Sequence, residues 1–125
     1  MKEKRNHARL GPLVIKTAFS CGAERRQGYL TNVSQGGAFL AVDDPPALGT
    51  DVEIRASLPW RLGELRARTR VAWRSEGGGE GQKKLSGVGL AFHELSPEAH
   101  RLLDAYLKRF TELAARIEEH EQIEK

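Results

Sequence analysis

Two short stretches carry residue types that could hold a small anionic ligand. Near the amino terminus, "RNHAR" sets Arg5 and Arg9 four residues apart, with Lys4 directly before them. A guanidinium is planar and permanently charged, and it forks onto a phosphate or onto the O6/N7 edge of guanine. It also stacks on a base face. After 22 intervening residues, "TNVSQGG" (Thr31 to Gly37) presents Asn32 and Ser34 two positions apart, followed by Gly36 and Gly37. An amide and a hydroxyl can hydrogen-bond a base edge or a phosphate. A glycine leaves space where a ligand must approach backbone. Neither half is informative alone, because Arg66/Arg70 and Arg70/Arg74 repeat the arginine spacing on what reads as an ordinary strand.

Plainer chemistry accounts for the same residues in other ways. Asn32-Val33-Ser34 is formally a glycan acceptor. The charged start "MKEKRNHARLG" lacks a following apolar signal core, so a cytoplasmic chain is expected and the glycan reading is set aside. As a turn, the stretch would point Val33 inward and Asn32 and Ser34 outward on the opposite strand face. Gly36 and Gly37 would then supply the positive φ. Cys21 is alone, and His7, His93, His100 and His120 show no ligand spacing, so neither a metal nor a cofactor is expected. No nucleophile and base constellation appears. Asp43-Asp44 before Pro45-Pro46 reads as turn chemistry, and an enzyme is not expected.

The chain must position these residues with 125 residues, 39% of them hydrophobic, which suits one globular domain. No run of about 18 apolar residues is present, so no membrane-spanning helix is expected. From Leu13 to His93, short strands alternate with Gly, Pro and Asp clusters, the pattern of an all-β barrel or sandwich. The strands are read in "LVIKTAFS", "RRQGYLTNV", "GAFLAV", "VEIRASL", "ELRARTRVAWRS" and "GVGLAF". In the fifth, Leu65, Ala67, Thr69, Val71 and Trp73 fall on one face and Arg66, Arg68, Arg70, Ala72 and Arg74 on the other. Gly87 and Gly89 point to a bulge or a close backbone approach. Ser96-Pro97-Glu98 announces a helix, with Ser as N-cap and Pro at the first helical position. Leu103, Tyr106, Phe110, Leu113 and Ile117 form one apolar stripe along it. The first half should cover an end of the barrel. The second half outruns it and could pair with a partner helix, which makes a homodimer through this helix an expectation.

Together, Arg5 and Arg9 on a basic arm followed at this distance by Asn32, Ser34 and Gly37 resemble the PilZ family of bacterial cyclic di-GMP receptors. That family carries Arg-x-x-x-Arg, a gap of a few tens of residues, and Asp/Asn-x-Ser-x-x-Gly. "RTRVAWR" and "GVGLAF" resemble its late strands. The resemblance implies a six-stranded antiparallel β-barrel capped by a long carboxy-terminal α-helix. The expected division is a basic arm over residues 1–12, a barrel over 13–95 and a helix over 96–125, all one domain. It also implies cyclic di-GMP as ligand, held by Arg5, Arg9, Asn32, Ser34 and Gly37, with Lys4 and Gly36 beside them. The arm would order on the ligand and present a changed surface to an effector protein, the output of a bacterial second-messenger signal such as one serving motility. Asn32 stands where Asp is commoner, and an amide offers one acceptor oxygen where a carboxylate offers two, so weaker binding is expected than for an Asp version.

Two other readings compete. A PilZ-fold adaptor that does not bind cyclic di-GMP would act through its long helix on a motility or signalling protein. A nucleic-acid-binding barrel would track phosphates with Arg66, Arg68, Arg70 and Arg74. It is less favoured because Trp73 alternates inward, leaving that outer face without stacking aromatics. The net charge of +3 is also too small to demand nucleic acid.

Overall fold

The computed structural model describes residues 14–76 and 86–123, with side chains as far as Arg116. Six strands and one helix follow in order: β1 (Ile15–Cys21), β2 (Glu24–Thr31), β3 (Gly37–Ala41), β4 (Asp51–Leu58), β5 (Gly63–Glu76), β6 (Ser86–Phe92) and α1 (Pro97–Ile123). All pairings are antiparallel, and the order β1-β2-β3-β6-β5-β4 closes on itself into a barrel. Closure removes the unpaired edges an open sheet would present. The glycine-rich connection between β5 and β6 lies outside the described residues.

Alternation builds the core. In β4, Val52, Ile54, Ala56 and Leu58 are buried while Asp51, Glu53, Arg55 and Ser57 are exposed. Leu65, Ala67, Thr69 and Val71 of β5 continue that interior, joined by Leu30, Leu40, Val88 and Leu90. The two buried hydroxyls inside find backbone acceptors: Thr69 Oγ1 donates to the Val52 carbonyl and Thr17 Oγ1 to that of Ile15, each at 2.8 Å.

Trp73 departs from the expected alternation. The ladder between β5 and β6 shifts between Val71 and Trp73, so that Val71 faces Leu90 and Trp73 faces Gly89. Ala72 is the extra residue of a β-bulge, and one extra residue reverses every side chain after it. Trp73 therefore lies on the outer wall, 52% exposed. The glycines of β6 have the matching cause. A Cβ at Gly89 would run into the Trp73 ring, and one at Gly87 would run into the Leu40 backbone oxygen and meet Phe39 at 2.7 Å.

The helix starts as its residue types require. Ser96 Oγ accepts the Ala99 N–H at 3.0 Å, satisfying a donor that the first turn leaves free. Ala99, Leu103 and Tyr106 are buried against the barrel end where β4 passes to β5. The turn there is unusual, since Trp60 and Arg61 both have positive φ, at 61° and 58°. Such hairpin turns favour Asn and Gly. Here the Trp60 ring packs on Tyr106 at 5.6 Å and beneath the Arg109 guanidinium at 5.9 Å, contacts that offset the strain. Beyond this cap, Phe110 and Leu113 are only half-buried. Among the described residues, no helix is long and apolar enough to cross a membrane.

Candidate functional site

β2 ends at Thr31, and the chain then makes a tight turn into β3 at Gly37. Asn32 and Ser34 are therefore not on a common strand face, as the alternation alone would have it. Asn32 is exposed in the left-handed region at φ 52°, which Asn and Asp tolerate better than other side chains. The positive φ expected of the glycines falls on Asn32 instead. Val33 packs partly against the core, as expected.

Ser34 holds the turn together. Its N–H donates to the Gly37 carbonyl at 2.8 Å. Its hydroxyl donates to the same oxygen at 3.3 Å, and the Gly36 N–H donates to Ser34 Oγ at 3.3 Å. Both hydroxyl bonds are long for their type, so an incoming acceptor of better geometry can compete for them. The Gly36 carbonyl accepts the Phe92 N–H at 2.9 Å, which anchors the turn to the end of β6. Gln35 Nε2 donates to Asp104 Oδ1 at 2.8 Å, which ties the turn's tip to α1.

The two glycines differ. At Gly36 a Cβ would meet nothing within 4 Å. At Gly37 it would run into the Leu90 carbonyl oxygen, so the close approach of β3 to β6 requires glycine with or without a ligand. Nothing in the local sequence signals that requirement, because it depends on a strand about 50 residues away in the chain.

Lys4, Arg5 and Arg9 lie outside the described residues. The barrel does fix where the chain enters: Ile15 opens β1 opposite Leu30, two residues before Asn32. The entry of β1, the Asn32–Gly37 turn, the Trp60 turn and the start of α1 share one end of the barrel.

One cross-strand row runs outward from this end. Thr31 faces Phe39, Phe39 faces Gly89, and Gly89 faces Trp73. The Phe39 and Trp73 rings stack at 5.4 Å with 27° between planes. Thr31 Oγ1 is buried with no hydrogen-bond partner among the described residues. Such a group costs about 1–3 kcal/mol. Residue types alone give no sign of this row.

A concavity of about 720 Å³ lies elsewhere, bordered by β1, β4 and β5 and by the start of β2, and its arginines are Arg25, Arg26, Arg55, Arg66 and Arg68. The arginines of β5 are largely neutralised there: Arg66 pairs with Glu64 at 2.9 Å, and Arg68 lies 3.5 Å from Glu53 and 3.6 Å from Glu94. Arg70 meets Asp51 at 3.0 Å and Arg74 meets Glu76 at 2.8 Å. At the far end of the barrel, burial pushes the Cys21 thiol up, partly opposed by Arg26 and reinforced by Glu24, so it stays protonated and unreactive near neutral pH. No cluster of metal-ligating side chains occurs among the described residues.

A closed six-stranded barrel with a helix over one end, and a polar turn beside the entry of its first strand, defines a small helix-capped β-barrel domain. The chain belongs to the PilZ domain family, whose profile matches residues 3–109 and so takes in both half-motifs. Among solved structures it is similar to the Bacillus subtilis inhibitor of motility MotI/DgrA, with a TM-score of 0.63 and 15% identity over 80% of this chain. The match covers 48% of that protein, so the chain spans about half its length. The shared fold is what this likeness shows. No curated protein sequence matches.

Proposed function

We propose that the protein is a cyclic di-GMP receptor that clamps its ligand between the amino-terminal arm and the Asn32–Gly37 turn. Arg5 and Arg9 take phosphate and guanine, aided by Lys4; Asn32 and Ser34 bond the remaining polar edges; Gly36 and Gly37 keep the backbone approachable. The observation that carries this reading is the entry of β1 opposite Leu30, which brings Ile15 to the end of the barrel that holds the turn. The family match over both half-motifs supports it. Ordering of the arm would change the surface offered to an effector protein, with α1 tied to the turn through Gln35 and Asp104.

Isothermal titration with cyclic di-GMP, with GTP as control at about 150 mM salt, tests the reading, since that salt suppresses non-specific phosphate binding. Saturable binding at micromolar or tighter affinity is expected. Its stoichiometry distinguishes one ligand from a stacked pair. The absence of heat and of any shift in melting temperature would reject it.

A second reading has its own support. Ser34 and Gly37 already have structural duties, in the turn and against Leu90, which an adaptor without ligand would also need. That adaptor would act through α1, where Phe110 and Leu113 are half-buried beyond the barrel. Light scattering tests the associated homodimer: truncation after Arg116 should convert dimer to monomer, and a monomeric full-length chain would remove it. For nucleic acid, the outward Trp73 answers one objection. The carboxylate partners of Arg66, Arg68, Arg70 and Arg74 raise a larger one, because a phosphate would have to displace each of them.

A further inference from the structure

The concavity bordered by β1, β4 and β5 is a groove with a small-residue floor and charged rims. The outward residues of β1 there are Ala18 and Ser20, both half-buried. One cross-strand row reads Gln27, Ala18, Arg55, Arg66, and the next reads Arg25, Ser20, Glu53, Arg68. From β2 to β4 is two strand spacings, about 10 Å, close to the roughly 10–12 Å diameter of a helix with its side chains. Five arginines line the groove against Glu53 and Glu94, an excess of three positive charges.

Two observations show that this charge is not fully satisfied within the barrel. Arg66 and Arg68 have carboxylate partners, but Arg25 and Arg55 meet none within 4 Å among the described residues. Arg55 also stands directly opposite Arg66. Like charges that face each other across a ladder are destabilising, and an anion set between them relieves the repulsion. The lining disfavours nucleic acid as that anion. Its one aromatic, Phe19, is buried, and Glu53 and Glu94 interrupt the track a phosphate chain would follow.

The chain itself carries an acidic helix of suitable width. α1 continues to Ile123, and residues 117–124 hold Glu118, Glu119, Glu121 and Glu124 with no Lys or Arg. At 1.5 Å per residue, Glu118 is roughly 22 Å along the helix from Leu103, which is buried at the barrel end. The helix thus carries these acids past the cap, within reach of another copy. We propose that the acidic end of α1 in one copy docks in the arginine-lined groove of a second copy. The contact is independent of the cyclic di-GMP reading. It also differs from helix pairing through Phe110 and Leu113, because charge and not apolar area holds it.

Sedimentation velocity over a range of protein concentrations tests this. The natural protein should self-associate at about 0.05 M salt and separate at about 1 M, where the screening length falls to about 3 Å. Arg55→Glu, at an exposed position, and the double variant Glu118→Lys/Glu121→Lys should each raise the dissociation constant at least about ten-fold with little change in melting temperature. An equimolar mixture of the two should associate where neither does alone, since one supplies an intact tail and the other an intact groove. Equal association by both variants and the natural protein would overturn the proposal in favour of the apolar helix face. Association that persists at high salt overturns it too, as does a natural protein that is monomeric at every concentration. If that monomer binds a single-stranded oligonucleotide and Arg55→Glu abolishes the binding, the occupant is nucleic acid and the proposal is wrong.

Discussion

On the β4–β5 side of the barrel, polar and apolar residues alternate without interruption through Val71, and the outward arginines of β5 before the bulge, Arg66, Arg68 and Arg70, each meet a carboxylate within 4 Å. The β2–β3–β6 side has few charges. It holds a left-handed Asn32, a buried hydroxyl on Thr31 without a partner among the described residues, two glycines beneath aromatic rings and a half-open Trp73. The first wall is the more basic, yet the outward arginines of β5 there, Arg66, Arg68 and Arg70, are paired with carboxylates. On the second, the polar groups of the turn are exposed and free to meet a ligand. The proposed reading thus places the ligand by exposed polar groups and backbone strain, which natural proteins tend to retain where they are used, and not by charge density.

The largest effect that would break this contrast concerns binding. Arg9→Ala should remove detectable cyclic di-GMP binding in titration without lowering the melting temperature, whereas Arg70→Ala, which repeats the spacing on the opposite wall, should leave binding nearly intact. Damage from Arg70→Ala instead would move the site to the β4–β5 side. Next comes stability within the turn. Gly37→Ala forces a Cβ onto the Leu90 carbonyl and should cost about 1–3 kcal/mol in denaturant unfolding. Gly36→Ala meets open space and should stay within about 0.5 kcal/mol. Equal effects would mean that the turn relaxes freely.

Smaller effects sharpen the other side. Arg66→Ala breaks an exposed ion pair with Glu64 and should change stability by less than about 1 kcal/mol, a loss further reduced by salt. The smallest is a pH effect under the helix. Burial raises the Tyr106 phenol above its ordinary value of 10.0. A raised pKa means that the fold favours the neutral phenol, so its contribution is complete below about pH 10 and is lost as pH rises through the raised value. Melting temperature should fall more steeply between about pH 9 and 11 in the natural protein than in Tyr106→Phe. Parallel slopes would show that Tyr106 ionises without strain.

Much of the architecture was legible in the residues themselves. The six strands, the Ser96 cap and the burial of Leu103 and Tyr106 followed from periodicity and stop signals, which are properties of neighbours in sequence, while the choice of a barrel over a sandwich came from the family resemblance. The pairing of two half-motifs into one candidate site rests on their spacing along the chain together with the resemblance to the PilZ family. Tertiary structure alone decided the direction of Trp73, the reason for Gly37, and the pairing of Arg68 and Arg70 with carboxylates of β4. Each depends on a residue across the ladder: Gly89 opposite Trp73, Leu90 beside Gly37, and Asp51 opposite Arg70. A strand pattern repeats every two residues, so one extra residue at Ala72 turns Trp73 from core to surface, and only the register with β6 reveals it.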